Sequence, residues 1–213
     1  MSKNVETVLE NLRRNNMAAH YVPTIAEVAP FVEGLLAEGA SVAVGGSVTL
    51  KETGVLELLR SGKYTFYDRY ADGLTAEQKK DIFFRSFDVD AYLSSANAVT
   101  EKGELYNVDG TGNRIAAIAY GPEKVIIVVG VNKIVVDIDE AIKRVKTCAA
   151  PPNAKRLGFE TYCAHADHCM CVDGSMTDGC AADQRICCSY LISGFQRVKD
   201  RIVVILVGEE CGY

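Results

Sequence analysis

Ser41-Val42-Ala43-Val44-Gly45-Gly46-Ser47 is a short apolar strand running straight into two glycines and a serine. Thr49 and Glu52 then match a capping box, and Leu56, Leu58 and Leu59 carry a helix onward. A strand, a glycine turn and a helix in immediate succession is the unit from which parallel sheets are built.

Working outward, the unit recurs. Val125 to Gly130 (VIIVVG) and Ile202 to Val207 (IVVILV) are apolar throughout, as strands covered on both faces are. His20 to Val22, Tyr64 to Tyr67, Ala91 to Ser94 and Lys133 to Asp137 read as further strands. Between them lie helical patterns. Val5, Val8, Leu9 and Leu12 form one stripe, and Val28, Phe31, Val32, Leu35 and Leu36 form another behind Thr24 and Glu27. Pro30 should kink or delay that second helix, and Gly39 should stop it. Thr75 opens a helix to about Phe84, and Asp139 one to about Val145. The expectation is an α/β fold: an open, mostly parallel sheet with helices on both faces.

Composition narrows the partners. The chain has 213 residues, 48% hydrophobic and 24% charged, enough to bury a sizeable core. A net charge of −5 argues against nucleic acid, because phosphate neutralisation needs a basic surface. No apolar run approaches the roughly 18 residues of a membrane span. The stretch MSKNVETVLENLRRNN is charged and amphipathic, unlike a signal peptide, so the cytoplasm is the expected compartment. A homo-oligomer is an open expectation.

The chain changes character after Ala149-Ala150-Pro151-Pro152. All eight cysteines follow residue 147, with His165 and His168 among them. Residues 1–213 read as one domain, with 149–188 an irregular cysteine-rich excursion within it. Thiolates and imidazoles hold zinc and iron–sulfur clusters, whereas structural disulfides are disfavoured in the cytoplasm. Redox-active pairs among Cys169, Cys171, Cys187 and Cys188 are an alternative, as are inert thiols. Cys148 and Cys211 read as packing residues.

Two glycine loops suggest where a small molecule binds. Gly45-Gly46-Ser47 offers backbone amides at a helix start. Asp109-Gly110-Thr111-Gly112-Asn113-Arg114 offers a second nest of amides before Ile115–Ala119, with Asp109 as an N-cap. Neither is a dinucleotide fingerprint or a Walker A loop.

The runs Asn97-Ala98-Val99-Thr100-Glu101-Lys102-Gly103-Glu104-Leu105, Asn107 to Arg114, Tyr120-Gly121-Pro122 and Val129 to Val135 resemble, in order and spacing, the lactate-utilisation (LUD) domain family. The resemblance implies a sheet like that of the ribose-phosphate isomerase, CoA-transferase and formyltetrahydrofolate cyclo-ligase group. It also implies a setting in iron–sulfur-dependent oxidation of lactate to pyruvate, with iron–sulfur partner subunits and a small anionic substrate. Ser47, Glu52, Glu101, Asn107, Asp109, Asn113, Arg114 and Lys133 are carried over by position as one pocket, completed by Gly45, Gly46, Gly110, Thr111 and Gly112. Chemistry then nominates Glu101 as general base and Lys133 and Arg114 as clamps for a carboxylate or phosphate.

Short members of the family resemble one another in a terminal pattern C-x5-C-x2-C, followed by a cysteine in an Arg-Ile-Cys stretch. Cys163 and Cys169 keep the first spacing and Arg185-Ile186-Cys187 the last. The middle departs, leaving Cys171 or Cys180 as the third ligand. The family setting implies a [4Fe–4S] cluster. Zinc, helped by His165 or His168, is the alternative. Two further functions stay open: a ligand-binding or regulatory protein with a structural metal, and a transferase or isomerase acting on a phosphorylated or CoA-like ligand.

Overall fold

A computed structural model describes residues 5–213, so the first four residues of the amphipathic N-terminal stretch lie outside it. The first half of the chain runs α1 (Val5–Arg14), β1 (Ala18–Val22), α2 (Val28–Glu33), β2 (Ser41–Val44), α3 (Val48–Glu52), α4 (Val55–Leu59), β3 (Thr65–Tyr67), α5 (Ala76–Arg85) and β4 (Ala91–Ser94). The second runs β5 (Ala98–Thr100), β6 (Leu105–Asp109), α6 (Asn113–Ala119), β7 (Lys124–Gly130), β8 (Ile134–Val135), α7 (Ile138–Arg144), α8 (Ala150–Arg156), α9 (Tyr162–Ala166), β9 (Ser189–Ser193) and β10 (Ile202–Val207).

Six strands form a parallel sheet in the order β1-β10-β7-β4-β2-β3. Its fully apolar strands, β10 and β7, are interior neighbours, because helices cover both faces. Alternation sorts their side chains. Val125, Ile127 and Val129 join Val8 and Leu12 of α1 and Ala117 and Ile118 of α6 on one side. Ile126 and Val128 join Val32, Leu50 and Leu56 on the other.

A second, four-stranded sheet, β8-β5-β6-β9, stands apart from the first. Val99, Leu105 and Ile134 of this sheet enter the core beside α1 and α6. On its opposite face Ala98, Tyr106 and Val108 pack against Ala141, Val145 and Ala150. Sequence periodicity did not reveal this sheet, whose strands are two to five residues long.

Several local expectations are revised. Lys133–Asp137 is not one strand: a 3-10 turn, Val131–Lys133, precedes a two-residue β8. The helix at Ser47 starts two residues earlier than the Thr49–Glu52 box implies, and Ser47 caps it by accepting from the Leu50 amide at 3.2 Å. Thr24 bonds the Glu27 carboxylate instead of a backbone amide, and a 3-10 turn precedes α2. The proline pair does not end helical structure. α7 passes through a π-helical turn, Val145–Ala149, into α8, where the prolines occupy the first turn and need no amide partner. The excursion is therefore helical to Arg156 and again in α9, and irregular between Asp167 and Cys188.

Candidate functional site

The carboxyl ends of β2, β3, β4 and β7 open into a broad cleft. Gly46, Ser47 and Thr49 follow β2, Arg69 follows β3, Ser95 and Asn97 follow β4, and Lys133 follows β7. Ligands of open α/β sheets collect at this edge. Asp109, Gly110, Thr111 and Asn113 of the second glycine loop form another wall.

Lys133 lies at the floor, 2% exposed. Its ammonium donates to Thr49 Oγ1 at 2.7 Å and Ser95 Oγ at 3.1 Å. Burial, with Arg144 and Arg114 nearby, lowers its pKa to about 7; Cys211 and Glu52 oppose that shift. Glu52 sits behind this floor and accepts the Gly212 amide at 2.6 Å.

Arg114 is not the clamp its charge suggests. All five of its donors are taken: Nε by Asp109, the Nη atoms by the carbonyls of Ser95 and Val108 and the amide oxygens of Asn107 and Asn97. Asp109 is likewise committed, accepting the Arg114 and Ile115 amides as a cap on α6. Asn107 is fully buried beneath this network, with its Nδ2 unpartnered. These three residues build the wall rather than face a ligand. Gly45 belongs to the same construction. A Cβ there would lie 2.7 Å from both Arg114 Cγ and Ser94 Oγ, so only glycine lets the arginine pass.

Glu101 is also displaced from its nominated role. It occupies the turn between β5 and β6, where its carbonyl accepts from Asn11 of α1 and its amide donates to Val135. It does not line the cleft. The cation the sequence reading missed is Arg69. Its guanidinium stacks 4.7 Å from the Phe83 ring centroid, reaches within 3.7 Å of the Cβ position of Gly46, and lines the cleft. No ion-pair partner holds it among the described residues. The only prior signal is an arginine at a strand's carboxyl end, weak in a sequence with 23 basic residues.

A second, more enclosed cavity lies behind β6. Cys163, Cys169, Cys180 and Cys187 all line it, beside Tyr106, Met170 and Met176. Cys171 does not; its carbonyl instead accepts from Lys146. Burial pushes the Cys187 thiol up to about 12, with Cys163, Cys169 and Cys180 adding to the effect. The side chain of Arg185 brings two of the four together by donating to the carbonyls of Cys180 and Cys187. Lys146, on the π-helical turn, donates to the carbonyls of Cys171, Gly174 and Ser175 and so shapes the loop after Cys169. All eight cysteines are free thiols.

Four thiols around one apolar cavity fit the donor set of an iron–sulfur cluster. Among the described residues, no three His, Cys, Asp or Glu side chains converge on a single ion position. His165 and His168 are exposed, bonded to Glu160 and to the Ala166 carbonyl, and line neither cavity. A zinc site completed by imidazole does not fit this arrangement.

The two cavities share a wall. Val145, Ala150, Arg185, Ile186 and Cys187 line both. Gly110 makes the join possible: a Cβ there would lie 3.3 Å from Ile186 Cα.

The LUD domain model matches residues 5–207, nearly the whole described chain. The chain belongs to the LUD domain family. Membership suggests involvement in lactate utilisation. Among solved structures, a DUF162 family protein from Deinococcus radiodurans is similar at 14% identity and a TM-score of 0.49, over 95% of this chain and 94% of that one. The eIF2B beta protein of Chaetomium thermophilum is similar at 17% identity and a TM-score of 0.37, over 62% of this chain and 46% of that one. Comparison with curated proteins finds no match. This LUD protein has no helix, among the described residues, long and apolar enough to cross a membrane.

Proposed function

We propose that this LUD protein is a cytoplasmic component of the oxidation of a small hydroxy acid such as lactate to its 2-oxo acid. The supporting observation is that Cys187 lines both the four-thiol cavity and the cleft. Cys163, Cys169, Cys180 and Cys187 would hold a [4Fe–4S] cluster, which when bound supplies one-electron redox capacity and so calls for partner subunits to carry electrons onward. Arg69, which lines the cleft without an ion pair among the described residues, is the guanidinium for the substrate carboxylate, taking the role that Arg114 cannot. Lys133, with an amine that titrates near neutrality, is placed to accept the proton of the hydroxyl at C2. Thr49, Ser95 and Lys133 form a buried polar floor beneath the cleft.

Anaerobic purification, metal and sulfide analysis, and a visible spectrum test this reading. A brown protein with iron and sulfide in equal amounts, whose spectrum shifts on adding lactate or pyruvate, is expected. A colourless protein with one bound zinc would move the assignment to a regulatory protein with a structural metal. Absence of any metal after reconstitution would overturn the redox role.

A further inference from the structure

Lys133 has an unusual set of neighbours for a buried lysine. Its hydrogen-bond partners are two hydroxyls, Thr49 Oγ1 and Ser95 Oγ, and it forms no ion pair. Two arginines lie near enough to oppose its charge, buried Arg114 and half-buried Arg144, and each is bound to other groups, Arg144 to the carbonyls of Asn97 and Asn132. Cys211 and Glu52 act in the other direction, and the Glu52 carboxylate is occupied by the Gly212 amide. A lysine buried beside arginines and hydroxyls gives up its proton more readily than one in water, and the free amine is the nucleophilic form.

The surroundings also define what it would attack. From Lys133 Nζ the cleft floor continues through Thr49 and Ser47 to Gly46, beside which Arg69 stands. A guanidinium and an amine lining one cleft suit an acid that also carries an electrophilic carbon. Tyr213 lines the same cleft, and its hydroxyl is buried with no partner among the described residues. A buried hydroxyl is costly to leave unpaired, and a ligand oxygen would satisfy it.

We infer that Lys133 captures a 2-oxo acid of the pyruvate type as a reversible imine, with Arg69 holding its carboxylate. This rests on the cleft being the acid-binding site and assigns it a covalent activity separate from electron transfer. Nζ attacks the carbonyl carbon and the C=O π pair moves to oxygen, which takes up a proton to give the carbinolamine. Loss of that oxygen as water, with the proton leaving nitrogen, gives the C=N bond. Thr49 and Ser95 are within reach of Nζ to pass those protons. No oxidant or reductant is consumed.

Borohydride trapping tests the inference on the intact chain, without metal. The protein is incubated with pyruvate, reduced with sodium borohydride, and digested for mass spectrometry. One reduced pyruvate adduct on the peptide carrying Lys133 is expected, at least tenfold above any other lysine. Its yield should rise through about pH 7. Lactate, which has the carboxylate and no carbonyl, should suppress it. K133R should abolish it in protein whose circular dichroism matches the wild type. R69Q should lower the yield at limiting pyruvate and recover it at saturation. Adducts spread evenly over surface lysines would overturn the inference. So would no adduct while pyruvate still raises the melting temperature, an outcome that leaves the acid-binding cleft standing. Neither adduct nor melting shift would remove both.

Discussion

The amide of Cys188 donates to the carbonyl of Asp109 at 3.0 Å, fastening the cysteine-rich segment to the second glycine loop. The bond extends the pairing of β9 with β6, in which Ser189 stands opposite Asp109. It is the reason the thiol cavity and the cleft share a wall.

Gly110 should be sensitive to any side chain. A methyl at this position meets Ile186 Cα at 3.3 Å, and backbone cannot rotate away. G110A is expected to cost about 1 kcal/mol in chemical denaturation, and G110V about 3 kcal/mol. Both should reduce metal retention more than they reduce far-ultraviolet circular dichroism. Full metal content in G110V would show that the loop and the cysteine segment are independent.

The four-thiol assignment distinguishes Cys180 from Cys171. C163S, C169S, C180S and C187S should each lose most bound iron after anaerobic reconstitution, while C171S keeps it. In C163S, hydrogen exchange should rise across residues 160–190 and stay unchanged in β7 and β10, because the apolar core of the main sheet does not include that segment. Iron lost from C171S and kept by C180S would reverse the choice.

Arg114 should matter for stability rather than for ligand affinity. R114M removes the ion pair with Asp109 and leaves the buried Asn107 amide oxygen without its donor, while Asp109 and Asn97 keep backbone amide donors, at a cost of about 3 kcal/mol. Urea denaturation measures it. R69Q, which breaks no ion pair, should change stability by less than about 0.5 kcal/mol while weakening pyruvate or lactate binding in calorimetry.

Lys133 should make stability depend on pH in a particular direction. Its folded pKa of about 7 lies below the unfolded value near 10.5, so between those limits the unfolded chain binds more protons. Unfolding free energy contributed by Lys133 is therefore lowest below pH 7 and rises as pH climbs toward 10, by a few kcal/mol at most. K133M should lack that slope. Parallel urea titrations at pH 6.5, 8 and 9.5 would show it as a difference between variant and wild type; identical slopes would mean that Lys133 is charged when folded.

Much of the main sheet was legible in the amino-acid order. Ala91–Ser94 and Ile202–Val207 are recognised at their boundaries, and Val125–Gly130 to within one residue, because strands covered on both faces are largely apolar. The Thr75–Gln78 cap is equally local. Family membership was readable from the motif runs for the same reason: it needs order and spacing, not contact.

The site was only half legible, and contact is why. Gly45, Gly110 and Arg114 stand out as residue types, yet a sequence does not say whether an arginine's donors point at a ligand or at five neighbouring oxygens. That depends on Asn97, Asn107 and Ser95, which are brought in from β4, β5 and β6 by long-range pairing. The same holds for Glu101, held by α1 far from the cleft, and for Arg69, delivered there by β3. The chain order by itself determined that four or five cysteines would share a segment and that glycine loops would follow strands. Only the tertiary structure decided which thiols face one cavity and that Cys187 borders the cleft. Distances between residues remote in sequence arise when the two sheets bury their faces, and no local pattern encodes them.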